Sequence, residues 1–157
     1  MSEFKRILVP VDFSECSKAA VKQAVDLARK YDAQLEIFHA YEPPYYVGDV
    51  LIQIPDQPSL SVHDYIKKSA QKLLDEMLEE CGDGLKEIDY TAELVAGIPA
   101  DAILEKVRTD GHKYDLIVMG THGRRGLSHL LMGSVAERVI RQAPCPILVI
   151  RDAYPEH

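Results

Sequence analysis

Leu116-Ile-Val-Met119-Gly120-Thr-His-Gly123-Arg-Arg-Gly-Leu-Ser-His-Leu-Leu-Met-Gly133-Ser134 is the stretch on which the reading of this chain turns. Its four leading apolar residues predict a buried strand, and a helix is predicted to begin near Ser134. Gly120 is expected to let the chain leave the strand with unusual backbone angles. Gly123 offers backbone without a Cβ in the way of a bulky anion. Gly133-Ser134 is predicted to bring bare N–H groups, a hydroxyl and the positive end of the helix dipole to one point. The nine residues between Gly123 and Gly133 reach roughly 30 Å when extended, enough to circle a polyphosphate. The same glycines also serve as ordinary turn and cap residues, so spacing alone leaves both readings open. The loop has neither Gly-Lys-Ser/Thr nor Gly-x-Gly-x-x-Gly, which excludes the P-loop and dinucleotide-dehydrogenase readings.

Outward from that stretch, strand and helix patterns alternate. Ile7-Leu-Val-Pro-Val11 predicts a first strand ending at Asp12, with Pro10 near the strand end because it cannot donate to a ladder. A helix is expected from Ser14 to about Tyr31, with Val21, Ala24, Val25 and Ala28 on one face. Leu35 to Tyr41 is the second strand. Over residues 42–60, Pro43, Pro44, Pro55 and Pro58 forbid a regular helix, while Tyr45, Tyr46, Leu51, Ile52 and Ile54 are too apolar for a free linker. A lid, a partner surface and a loop packed over the helices all fit that segment. Ser61 with Asp64 resembles a capping box. The helix that follows buries Ile66, Ala70, Leu73, Leu74, Met77 and Leu78, and stops near Gly82 and Gly84. Ile88 to Ala96 is a third strand, Pro99 to about Arg108 a helix, and Ile147 to Ile150 a fifth strand after Ala143-Pro-Cys-Pro146. The order β-α-β-α-β-α-β-α-β predicts an α/β fold. Its five-stranded parallel sheet is doubly wound with right-handed crossovers and helices on both faces, as one domain over residues 1–157.

Composition narrows the function classes. The chain has 157 residues, 46 % apolar and 27 % charged, and a formal net charge of −7. That charge argues against general attraction to nucleic acid or anionic lipid. No apolar run is long enough to span a bilayer, and the strand-like start leaves no room for a signal peptide. Cys16, Cys81 and Cys145 are odd in number and far apart. They predict neither a disulfide framework nor a zinc site, and a reducing cytoplasm is the expectation.

Asp12 gives the glycine loop a partner. In a sheet of order 3-2-1-4-5, strands one and four are neighbours whose connections leave in opposite directions, and ligands bind at their carboxyl ends. Asp12 follows strand one and Gly120 follows strand four, so both flank that crevice. A carboxylate there suits ribose hydroxyls. The competing reading makes Asp12 the cap of the first helix, supported by Glu15.

Ile7-Leu-Val-Pro-Val-Asp-Phe-Ser-Glu15, Gly120-x2-Gly123-x9-Gly133-Ser134 and Ala143-Pro-Cys-Pro-Ile-Leu-Val-Ile150 resemble the opening, nucleotide motif and closing strand of universal stress proteins, in their ATP-binding branch. The resemblance runs over essentially the whole chain, with 42–60 its least typical part. It implies a Rossmann-like sheet of the adenine nucleotide alpha hydrolase type. It further implies adenine on backbone groups near Val11 and Ala40 with Pro10 beside them, and ribose on Asp12. Met119 and Gly120 would line the sugar and α-phosphate, and Gly123, Gly133, Ser134 and Val135 would hold the phosphates. Arg124 and Arg125 are cations within the same loop, suited to a terminal phosphate or simply solvated. His122 and His129 have no recognisable partner, and His39 is expected to be a hydrogen-bonded core or rim residue.

The expected function is ATP binding, with Mg²⁺, by a regulatory stress-response protein with at most slow hydrolysis. No catalytic constellation and no metal site is evident. The alternatives are an ATPase or phosphotransferase completed by a partner, and an interaction module that binds no nucleotide. The apolar run Ile147 to Ile150 should lie at a sheet edge, and the resemblance implies a homodimer through it.

Overall fold

The computed structural model describes residues 3–44, 50–109, 113–121 and 132–151. Its elements are β1 (Arg6–Pro10), α1 (Glu15–Tyr31), β2 (Gln34–Tyr41), β3 (Leu51–Ile52), β4 (Leu60–Ser61), α2 (Val62–Glu80), α3 (Gly82–Leu85), β5 (Tyr90–Ala96), α4 (Pro99–Thr109), β6 (Leu116–Gly120), α5 (Ser134–Gln142) and β7 (Ile147–Ile150). Five strands form one sheet of order β5-β2-β1-β6-β7, and every neighbouring pair in it is parallel. Counted among the long strands alone, this is the expected 3-2-1-4-5.

β1 and β6 are buried on both faces, which is why Ile7–Val9 and Leu116–Met119 read as unbroken apolar runs. Ile7, Val9, Leu35, Ile37 and Val118 turn to one face and pack against Ala20, Val21 and Ala24 of α1 and Leu74 and Met77 of α2. Leu8, Phe38, Ile117 and Met119 turn to the other and meet Ile103 and Val107 of α4 and Val139 of α5. Each such Leu, Ile or Phe contributes about 1.5–3 kcal/mol by leaving water. Side-chain caps open two of the helices: Ser61 Oγ accepts from Asp64 N–H at 3.1 Å, as the capping box predicted, and Ser14 Oγ accepts from Ser17 N–H at 3.1 Å.

The second face also holds a charged cluster. Glu36, 9 % exposed, accepts a hydrogen bond from Tyr114 Oη at 2.5 Å and pairs with Lys106 Nζ at 2.8 Å and Arg6 at 3.6 Å. Burial by itself would raise the Glu36 carboxyl. The bonds from Lys106 and Tyr114, with the Lys106 and Arg6 charges, outweigh it and hold the group below its ordinary value. Burial and the Glu36 carboxylate push the Tyr114 phenol up. For Lys106, burial opposes the ammonium, but its bonds to Glu36 and Glu93 prevail and raise it. This cluster ties α4 to the sheet.

Two expectations change in detail. Within 42–60, Leu51–Ile52 and Leu60–Ser61 form a short antiparallel ribbon, too brief to show as a pattern among four prolines. The helix after Ser61 stops at Glu80, and Gly82–Leu85 makes a separate turn of helix.

Candidate functional site

Peptide groups along a strand turn alternately to its two neighbours, so recorded bonds assign a side to each residue. Gln34 N–H donates to the Lys5 carbonyl and Val11 N–H to the Phe38 carbonyl, both at 2.8 Å. Odd-numbered residues around β1 therefore face β2, and even-numbered ones face β6. The missing N–H of Pro10 falls on the β6 side. Among the described residues, β1 and β6 pair only at Ile7–Leu116 and Leu8–Ile117, whereas β1 stays registered with β2 through Pro10–Phe38. A buried, central proline is tolerated because it stands where the β6 ladder stops. There the two strands part at their carboxyl ends, at the switch point of the sheet.

The same alternation isolates Ala40. Leu35 N–H donates to the Asp89 carbonyl and Gly97 N–H to the Tyr41 carbonyl, so the odd residues of β2 serve β5. Ala40 turns its N–H and C=O towards β1. A continued ladder would bring its N–H to the Val11 carbonyl, but His39 Nδ1 holds that oxygen at 2.6 Å. A carbonyl only accepts, so Nδ1 carries the proton. Among the described residues no backbone group meets the Ala40 N–H or C=O, although the residue is 7 % exposed. Buried peptide groups are rarely left so. The result is one donor and one acceptor side by side, facing the gap beyond β1.

Asp12 sits beside that gap. Its Oδ1 accepts from Ser14 N–H at 3.0 Å and Ser14 Oγ at 2.5 Å, a local turn that leads into α1. Ser14, not Asp12, is the cap. Among the described residues no donor is recorded at Oδ2. Phe13 adopts φ 66°, a left-handed conformation costly for a side chain with a Cβ, and its ring lies 4.2 Å from the His39 ring. Backbone of this kind concentrates at ligand sites.

Two helix starts meet at Thr121, just past β6. Its N–H donates to the Ile150 carbonyl at 2.9 Å, and its carbonyl accepts from Gly133 N–H at 2.6 Å. Its hydroxyl is 3.8 Å from Cys16 Sγ in the first turn of α1, and that sulfur donates to the Ile150 carbonyl at 3.2 Å. Gly120 owes its identity to this crowding, because an added Cβ would stand 2.7 Å from Cys16 Sγ. The expected unusual angles are absent: its φ is not left-handed.

Gly133 is the N-cap of α5, at φ −61° and ψ 151°, and no side chain caps the helix. Its own amide is spent on Thr121. The groups without an intrahelical acceptor are therefore the N–H donors of Ser134, Val135 and Ala136, one residue later than the sequence suggested. Ser134 is exposed and Val135 half-buried against the second core cluster. Met119 is 4 % exposed in the same cluster, and its register with Val149 turns its peptide to β7. Val11 has its N–H on Phe38 and its carbonyl on His39. Gly123 and Arg124, like His122, Arg125 and His129, lie outside the described residues. Thr121 was missed in the sequence; its one signal is a polar residue directly after a buried strand.

The profile of the Universal stress protein family matches residues 3–151, and the chain belongs to that family. Universal stress protein MJ0531 of Methanocaldococcus jannaschii is 36 % identical over 152 residues, covering 94 % of this chain and 82 % of the relative. A universal stress protein solved in complex with cAMP is 26 % identical, with a TM-score of 0.66 over 97 % of this chain and all (100 %) of the other. The universal stress protein of Archaeoglobus fulgidus solved with dAMP, 20 % identical, shares the fold with a TM-score of 0.66 over 96 % of this chain and 100 % of that one.

Proposed function

We propose that this chain is an ATP-binding regulatory protein of the stress response, with at most slow hydrolysis, whose nucleotide lies in the crevice beyond β1 and β6. The observation that carries the reading is the open peptide edge of Ala40. The Watson–Crick edge of adenine has an acceptor, N1, beside a donor, the N6 amino group. That is the complement of one peptide N–H beside one peptide C=O. Hypoxanthine presents the reverse order and would leave both groups unpaired, which a buried site penalises.

The rest of the crevice supports the same ligand. Asp12 Oδ2 suits ribose hydroxyls, and the uncapped first turn of α5 suits phosphate. Gly123 and Arg124 join it through the resemblance, as do the backbones of Gly120, Ser134 and Val135, while Gly133, its amide held by Thr121, serves as the cap of that turn. The relative solved with cAMP supports an adenine nucleotide as the ligand class. Among the described residues no group of three His, Cys, Asp or Glu is placed to hold a metal ion. In this reading Mg²⁺ would be held by phosphate oxygens and water.

The working form in this reading is a one-domain, cytoplasmic homodimer joined through β7. No helix among the described residues is long and apolar enough to cross a membrane. Calorimetric titration with ATP, AMP and IMP tests the reading. Binding of ATP and AMP with IMP at least about tenfold weaker is expected, the scale of one lost buried hydrogen bond. Flat titrations with all three would instead favour an interaction module without nucleotide.

A further inference from the structure

We infer that His39 is a positioning residue of this crevice: its imidazole occupies the Val11 carbonyl and so keeps the Ala40 N–H available to a base. The inference rests on the nucleotide reading and deepens it, because it names what sets the discrimination between bases.

Three observations converge on it. Val11 is aligned with β2, its N–H already on the Phe38 carbonyl, so the next rung of a parallel ladder would run from Ala40 N–H to the Val11 carbonyl. That rung is not made, and the oxygen it needs lies 2.6 Å from His39 Nδ1. The ring is also braced, since Phe13 lies 4.2 Å from it between centroids, and Phe13 reaches that place through a left-handed backbone at φ 66°. A side chain that merely filled space at the strand end would need neither the proton on Nδ1 nor the strained neighbour.

The chemistry of removing the ring follows directly. Without the imidazole, the Val11 carbonyl is the nearest acceptor along the ladder for Ala40 N–H. Once that rung forms, the crevice keeps only the Ala40 carbonyl. A lone acceptor meets the amino group of adenine and the N1–H of hypoxanthine equally well, so affinity falls and discrimination between the two bases collapses. Asparagine carries an amide N–H at about the place of Nδ1 and should preserve the arrangement.

The test uses the full chain as wild type, His39→Ala and His39→Asn. AMP and IMP affinities are measured by calorimetry, and exchange of the Ala40 amide is measured by NMR without ligand. His39→Ala is expected to weaken AMP by about tenfold with little change for IMP, the size of one hydrogen bond. Its Ala40 amide should exchange more slowly than in the wild type. His39→Asn is expected to stay within about threefold of wild type for AMP, well inside the tenfold that one hydrogen bond represents. Unchanged discrimination in His39→Ala, or equal loss in both variants, overturns the role of the imidazole. A wild-type chain that takes up neither nucleotide defeats the nucleotide reading. An Ala40 amide exchanging equally in wild type and His39→Ala defeats the His39 role by itself.

Discussion

Gly120 and Cys16 are packed so closely that a β-carbon on Gly120 would stand 2.7 Å from the Cys16 sulfur and 3.1 Å from its backbone carbon. Gly120→Ala is therefore expected to lower stability by about 2 kcal/mol, as overpacking does. Adding Cys16→Ala removes the nearest contact but leaves the main chain in place, so the double variant should recover only part of the loss. Urea midpoints at constant slope measure both. A Gly120→Ala chain as stable as wild type would show that the two segments separate easily.

Asp12 uses one carboxylate oxygen to shape the turn before α1 and has none of its recorded bonds on the other. Asp12→Asn keeps an oxygen for Ser14 and loses the charge. Its melting temperature should stay close to wild type, while ATP affinity drops about tenfold, the size of a charge-assisted hydrogen bond. Calorimetry beside a thermal melt separates the two effects, and undiminished affinity would remove Asp12 from the site.

The Glu36 cluster makes stability depend on pH. Its carboxyl titrates lower in the folded chain than its ordinary 4.5. The contribution is therefore complete above that value and is lost as pH falls through the lower, folded one. Melts taken from about pH 7 down to about pH 3 should show an acid limb that Glu36→Gln flattens. Tyr114 and Lys106 are raised, so their share is present below their ordinary values and is lost as pH rises beyond them. Glu36→Ala should cost about 3 kcal/mol by stranding its cations, and Lys106→Met in that background should restore part of it.

At the sheet edge, Pro146 and Ile150 accept from Ile117 and Thr121, which leaves the peptides of Ile147 and Val149 facing away from β6. Leu148 is 36 % exposed beside them. An apolar open edge of this kind recruits another strand, and a lysine blocks it. Sedimentation should find a dimer for wild type and a monomer for Val149→Lys; an unaltered dimer would exclude this interface.

The strand order was legible because β1, β6 and β7 are apolar runs with turn residues beyond them, and because the βα alternation admits few windings. Asp12 and Gly120 were legible as residues at the carboxyl ends of neighbouring strands, and Gly133-Ser134 as the start of a helix. What each does locally was not. Gly120 reads as a turn glycine until the first turn of α1 is seen against it, a contact 104 positions away in the numbering. His39 reads as a rim residue until the β1 register shows which rung it displaces. Ser14 takes the cap that Asp12 was weighed for, because the turn between them uses the Asp12 carboxylate first. Long-range contacts and hydrogen-bond parity leave no mark on composition or periodicity.

The 2.6 Å bond from Gly133 to Thr121 has an evolutionary corollary. It closes the chain before and after residues 122–132, so the frame is stapled whatever the intervening sequence contains. Lengthening that insert costs only about 0.6 kcal/mol per doubling. Sequence can thus be exchanged there, by grafting or by natural drift, with the sheet scarcely registering it.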